Sequence, residues 1–329
     1  MKLTRRHFNA GLAATAAAGT IAGRVGRALA ARTLIYGNAG NANSNSNQFA
    51  AKWLAEVTKR TNGELKFDIK AGTLGGEKDI LDGCALGTVD IYNGAFTGLR
   101  EFDVFYAPYF ARDSVHAAKL VNGLLYDQLN AAIAKRYPTV RMLSVGRAGP
   151  WKLFTNTKLE SFGDAKGMKI RAPQIEGVVA GLQQLGAKPT VIPFNELYSA
   201  LQQGVVDGMA TLGSLMISQK FYEVVKYVYR NDWGIGLDKM MFNTNTWDSL
   251  GAAHQKIIAD SFAEMEPIDY FAATMAAEET NFAKWEEFNG AGSAPKLDAT
   301  EAQKLLAPAI AKLADEIFGK GTYDKIAAV

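Results

Sequence analysis

The sequence predicts an α/β fold in two lobes, on three observations. Residues 166–208 alternate strand and helix: KGMKIRAP, an amphipathic run to Gly186, then KPTVIPFNELYSALQQGVVDG. Strand, helix, strand, helix, strand in about 45 residues is the unit of a parallel sheet, whose strand ends form ligand crevices. A fainter copy of that text lies upstream. A helix, Gly87 and Thr88-Val89-Asp90-Ile91 are answered by a helix, Gly204 and Val205-Val206-Asp207-Gly208. Finally, about 300 residues follow the leader of this 48% apolar chain, which fills two lobes more naturally than one.

Residues 1–30 hold Lys2, Arg5, Arg6, Arg24 and Arg27, no acid, and a weakly apolar core from Ala10 to Ala22. Thr4-Arg5-Arg6-His7-Phe8 fits the twin-arginine export pattern, and Ala28-Leu29-Ala30 offers a small-residue cleavage site. A twin-arginine signal peptide over 1–30 and a periplasmic mature protein are therefore expected. Gly11, Gly19, Gly23 and Arg24 interrupt the core and argue against a spanning helix. The whole chain carries +3, from 36 basic and 33 acidic residues; without the five basic residues of the leader, it is slightly acidic. The mature charge thus gives no argument for nucleic acid, and no later stretch is long and apolar enough for membrane insertion.

The first strand is expected at Thr33–Tyr36, followed by an Asn/Ser/Gly-rich turn from Asn38 to Asn47. A helix from about Gln48 turns Phe49, Trp53, Leu54 and Val57 inward. Glu77, after Leu74-Gly75-Gly76, reads as the acid of a helix N-terminus. Cys84 stands alone, which excludes an internal disulfide, and its neighbours Leu81, Ala85 and Leu86 make it a packing residue. Asp113 or Ser114 caps the helix that carries His116.

Lys169–Arg171 forms a strand that Pro173 stops, and Val178, Val179, Leu182 and Leu185 define a helix capped by Gly186. Thr190–Ile192 is the next strand, Asn195 caps a helix that ends at Gly204, and Val205–Asp207 opens a third strand. From Ser249 to about Phe288 the pattern is helical, with a kink or division expected at Pro267. The mature part has two histidines, His116 and His254, and no motif for haem, iron–sulfur, zinc or phosphate. No nucleophile elbow or comparable catalytic signature appears either, so no cofactor and no enzyme are expected.

Asp164 to Pro173, Leu185 to Ala187, Pro193-Phe194, Glu196, Tyr198, Ala200-Leu201-Gln202, Gly204 to Gly208 and Lys220 to Val224 carry a resemblance. The ordered set is similar to the extracytoplasmic solute-binding subunits of tripartite (TRAP) transporters, the DctP family. Weaker similarity, including Gly72 to Glu77 and Phe105 to Phe110, covers most of the mature chain. The resemblance implies a two-lobed periplasmic binding protein with an interlobe ligand cleft and a long helix spanning both lobes. It implies lobe I at 33–148 plus 237–276, and lobe II at 149–236 plus 277–329. It further implies capture of a small organic acid for membrane permease subunits. A receptor for a sensor kinase and an exported enzyme on the same fold remain the alternatives.

On that resemblance Arg171, in the Lys-Ile-Arg-x-Pro pattern, grips the ligand carboxylate through two charged hydrogen bonds. Relatives carry a second arginine where this chain has Trp151, with Lys152 beside it as a substitute charge. They carry an asparagine where Thr211 stands, and the Glu-Trp pair of metal-assisted 2-oxo acid binders is absent. Trp151, Phe194 and Trp233 fall at positions that approach the cleft in relatives, and Tyr92 and Phe96 follow the strand of the other lobe. All five also fit ordinary core packing. Asn38, Asn41 and Asn93 are polar candidates from the first lobe. One anchor arginine among aromatic rings favours a monocarboxylate.

Overall fold

The computed structural model describes residues 31–95 and 98–329. The leader reading of 1–30 and the site candidate Phe96 lie outside these residues. The strands are β1 (Arg32–Asn38), β2 (Leu65–Ala71), β3 (Ile91–Gly94), β4 (Val140–Thr155), β5 (Lys169–Ala172), β6 (Lys188–Val191), β7 (Gly208–Leu212), β8 (Tyr227–Val228) and β9 (Gly234–Asn243). Among the described residues they form one mixed sheet in the order β2-β1-β3-β9-β4-β7-β5-β6, with β8 beside β4. β1 runs parallel to β2 and β3, and β5 parallel to β6 and β7. Each end of the sheet is therefore a βαβαβ unit whose first strand lies in the middle.

The echo around Asp90 and Asp207 has a physical cause in this arrangement. Asp90 donates its N–H to the Ile35 carbonyl at 2.9 Å and accepts the Ile35 N–H on its carboxylate at 2.7 Å. Asp207 makes the same two-way clasp with Lys169, at 2.7 Å in both directions. In each unit an aspartate locks the start of the third strand to the first. The clasp also explains a departure from expectation: Val205–Asp207 precede β7, which begins at Gly208. A Cβ on Gly208 would lie 2.2 Å from the Phe154 carbonyl oxygen, so only glycine allows the strands to close there.

Antiparallel β3–β9, β9–β4 and β4–β7 pairs join the two units. β4 has 16 residues; up to Trp151 it pairs with β9, and from Trp151 to Thr155 with β7. Irregularities between Met142 and Ser144 and between Arg147 and Gly149 bend it, with Gly149 at φ +89°. Apolar clusters cover both faces. Leu34 and Tyr36 of β1 turn to the Phe49–Trp53–Phe262 cluster, while Ile35 turns to the cluster of Cys84, Phe102 and Phe105. Phe49, Trp53, Leu54 and Val57 are all buried on the helix Asn45–Arg60, which Ser44 caps.

Helical structure is continuous from Gly251 to Asn289, as α-helix Gly251–Met265, π-helix Glu266–Ala272 and α-helix Ala273–Asn289. Pro267 does not divide it. The proline falls at the start of the π-helical stretch, whose wider turn accommodates a ring and a missing N–H. The indole of Trp53 donates to Ser261 at 3.0 Å, and that of Trp285 to the Lys226 carbonyl at 3.2 Å. The long helix is thus tied to the helix Asn45–Arg60 at one point and to the segment leading into β8, beside β4, at the other. Asn195 is not a cap: the helix starts at Phe194, and Pro193 (φ −56°, ψ 152°) sets the extended entry instead. Asp113 caps its helix by accepting the His116 N–H at 2.7 Å, and the buried His116 ring bonds Arg112 and Ile326 main-chain atoms.

Cys84 is fully buried, and burial pushes its thiol up to about 12. The native protein will consequently resist a thiolate-selective reagent at pH 8 and react once per chain in denaturant. Rapid labelling of the folded protein would contradict this packing. Among the described residues no helix is long and apolar enough to cross a membrane, and no cluster of three or more His, Cys, Asp or Glu is placed to hold a metal.

Candidate functional site

Parallel strands in both units end towards the join between them, and a cavity of about 60 Å³ lies there. Asn38 reaches it from the end of β1, Gly94 and Ala95 from the end of β3, Arg171 from β5, and Thr211 and Leu212 from β7. Glu77 and Phe194, each the first residue of the second helix in its unit, face it from opposite sides. Trp151 of β4, and Gly236 and Asp238 of β9, complete the wall from the joining strands. The two units are in contact around it: a Cβ on Gly76 would lie 3.2 Å from Asn195 Oδ1.

Arg171 is 1% exposed. Its Nε donates to the Ile192 carbonyl at 2.9 Å and its Nη1 to the Ala210 carbonyl at 3.4 Å, whereas Nη2 is buried without a partner. Burial pushes its pKa down to about 10, opposed by Glu77, so the guanidinium stays charged at neutral pH. The Trp151 indole N–H is the second buried donor on this wall without a partner. Its ring meets Tyr106 edge-on, with centroids 5.2 Å apart. Two carboxyl groups share the cavity. Burial raises the pKa of Glu77, opposed by Arg171, and that of Asp238, opposed by its hydrogen bond from Tyr270 and by Lys239. Phe194 is half-buried and packs edge-on to Phe221, and Thr211 is 2% exposed.

Arg171, Phe194, Trp151, Thr211 and Asn38 therefore meet around one cavity, and the other described candidates do not. Lys152 follows Trp151 on a strand, so its side chain leaves by the opposite face. There its ammonium lies 2.6 Å from both Asp232 and Glu278 and bonds the Arg230 carbonyl, and it supplies no charge to the cavity. Trp233 packs against Phe162 and borders a separate surface cleft with Tyr109 and Arg112. Tyr92 is a core residue whose hydroxyl bonds the Ala95 carbonyl. Asn93 bonds Tyr36 at 3.0 Å behind the wall. Asn38 borders the cavity, yet its amide already serves the turn: Nδ2 donates to the Asn93 carbonyl, and Oδ1 accepts from Gly40 and Asn47.

Asp238 is the site residue that sequence reasoning passed over, and Glu77 was read only as a helix-terminal acid. The available signal was Asp238-Lys239 inside the otherwise apolar strand GIGLDKMMFN, since unpaired charge in a central strand is rarely neutral in function. The Lys239 side chain takes the other face and bonds Tyr106.

A two-lobed α/β chain with buried, unpartnered donors around an interlobe cavity has the architecture of a solute-binding protein. Residues 36–316 match the family model described as bacterial extracellular solute-binding protein, family 7 (DctP), and the chain belongs to that family. The 2,3-diketo-L-gulonate-binding periplasmic protein of Escherichia coli is 27% identical over 72% of this chain and 73% of its own length. The C4-dicarboxylate-binding periplasmic protein of Rhodobacter capsulatus is 28% identical over 82% of each chain. A TRAP periplasmic solute-binding protein of Polaromonas, solved with D-erythronate, superposes with a TM-score of 0.82 at 25% identity, covering 90% of this chain and 98% of that one. The chain is thus a TRAP-type solute-binding protein, and these relatives are binding proteins for small organic acids.

Proposed function

We propose that this chain captures a small monocarboxylate in the periplasm and hands it, chemically unchanged, to the membrane permease subunits of a tripartite transporter. The observation that carries the reading is the pair of buried donors without partners, Arg171 Nη2 and Trp151 Nε1, on one cavity wall. A buried donor left unpaired costs about 1–3 kcal/mol, and a carboxylate accepts from both. The leader at 1–30 would export the chain by the twin-arginine route. The lobes comprise 33–148 with 237–276, and 149–236 with 277–329. Phe194 packs on the ligand body and Thr211 bonds a polar substituent.

The test is calorimetry and thermal shift of the mature protein with small carboxylates and their neutral amides. A ligand at 100 times its Kd adds about 2.7 kcal/mol, and mass spectrometry of the released compound should return it intact. Binding confined to the amides would overturn the reading.

On these boundaries several bonds cross the cleft. Asn41 donates to the Ser218 carbonyl at 2.8 Å, Arg100 pairs with Glu176, and Asp103 accepts the Glu176 N–H at 3.3 Å. Each is made only when the lobes meet, so each adds to ligand affinity by favouring the closed form. Asn41→Ala should weaken binding about 2- to 10-fold, the range of one neutral hydrogen bond, without lowering the unliganded melting temperature. An unchanged Kd would remove Asn41 from the closing contacts.

A further inference from the structure

We propose that the ligand carries a protonated amine as well as its carboxylate, and that Glu77 and Asp238 receive the amine. This rests on the carboxylate-binding reading of the same cavity and narrows it to amino acids and similar zwitterions.

The cavity is electrically divided. The unpaired donors, Arg171 and Trp151, come from β5 and β4. The two carboxyl groups come from the first residue of the helix Glu77–Leu86 and from β9. Arg171 bonds the main-chain carbonyls of Ile192 and Ala210, not a carboxylate, so Glu77 acts on it across the space instead of neutralising it in a contact pair. Tyr270 donates to one oxygen of Asp238, and the neighbouring Lys239 bonds the hydroxyl of Tyr106, whose ring borders the cavity, without lining the cavity itself. Neither arrangement brings a cation into the cavity.

A simple carboxylate would answer the donors but be repelled by whichever of the two enclosed acids is ionised, where Coulomb repulsion is weakly screened. An ammonium on the same ligand removes that repulsion and gives both acids a donor. The volume fits a small molecule of this kind. About 60 Å³ holds roughly four to six water-sized groups, at about 10–15 Å³ each.

The experiment is a titration of mature protein with pairs that differ only in ammonium against hydroxyl: alanine and lactate, serine and glycerate, 4-aminobutyrate and 4-hydroxybutyrate. The amine member of at least one pair should bind ten-fold or more tightly than its hydroxyl partner. Glu77→Gln and Asp238→Asn should each shrink that preference ten-fold or more, while the hydroxy acid binds as well or better. Hydroxy acids that bind wild-type protein at least as tightly as their amino partners would overturn the proposal, as would variants that weaken both members equally. The wild-type comparison stands even if a variant fails to fold. Binding of hydroxy acids alone would sink this inference and leave the carboxylate reading intact. Binding of no member of any pair would overturn both.

Discussion

Replacing Arg171 with methionine, which keeps most of its bulk, will weaken carboxylate binding more than any other single change in the cavity. Truncating one partner of a buried, hydrogen-bonded charge pair costs about 2–5 kcal/mol, or roughly 30- to 5,000-fold in Kd. Arg171→Lys should recover little, because an ammonium cannot hold the Ile192 carbonyl and a ligand oxygen with the same planar fork. The unliganded protein should be no less stable for the loss of charge. Burial holds this base below its ordinary pKa, at about 10, so its charge opposes folding throughout the neutral range. That opposition is relieved only as pH rises through the folded-state value. Calorimetric titration beside a melting curve separates the two effects, and an unchanged Kd in a folded Arg171→Met protein would remove Arg171 as the anchor.

The largest loss of stability is expected at Glu266. Its carboxylate accepts from Arg147 Nη2 at 2.6 Å, from Arg147 Nε at 3.0 Å and from the Arg147 main-chain N–H at 2.7 Å. Glu266 opens the π-helical stretch, Arg147 sits at a bend of β4, and their side chains are only 8% and 17% exposed. Glu266→Ala leaves a largely buried guanidinium over the Phe271 ring with no counter-charge. A loss of about 3–5 kcal/mol follows, lowering Tm by roughly 6–10 °C. The double change Glu266→Met with Arg147→Met should recover much of it, since an apolar pair removes the unpaired charge. A single Glu266→Ala variant that melts with the wild type would show that the pair is decorative.

The strands and helices of 166–204 were legible because glycine, proline and apolar spacing all agree there. The repeat of Asp90 and Asp207 was visible as text, but its cause was not. A two-way main-chain clasp becomes apparent only when the first and third strands lie side by side. Arg171 could be singled out through the family pattern, whereas its missing partner at Nη2 depends on the placing of Ile192 and Ala210. Lys152 shows the limit most clearly. One step along a strand separates a side chain in the cavity from one tied to Asp232 and Glu278, and letters alone do not say which face is which. Asp238 and Glu77 were missed for a related reason. They are far apart in sequence, and only the join between β9 and the first unit makes them neighbours of one space.

Because β4 belongs to both ends of the sheet, the chain offers no place to be cut into independent parts. A break near residue 148 would strip β9 or β7 of its partner and leave a long row of main-chain donors and acceptors bare. Fragments of that kind aggregate instead of folding. The same continuity would constrain motion: any opening of the cleft would fall on the twist of β4 and β9, which connect the two units, and not on a slack tether. A molecule built in this way would act as a leaf spring, spreading any strain of release over the strands that connect its halves.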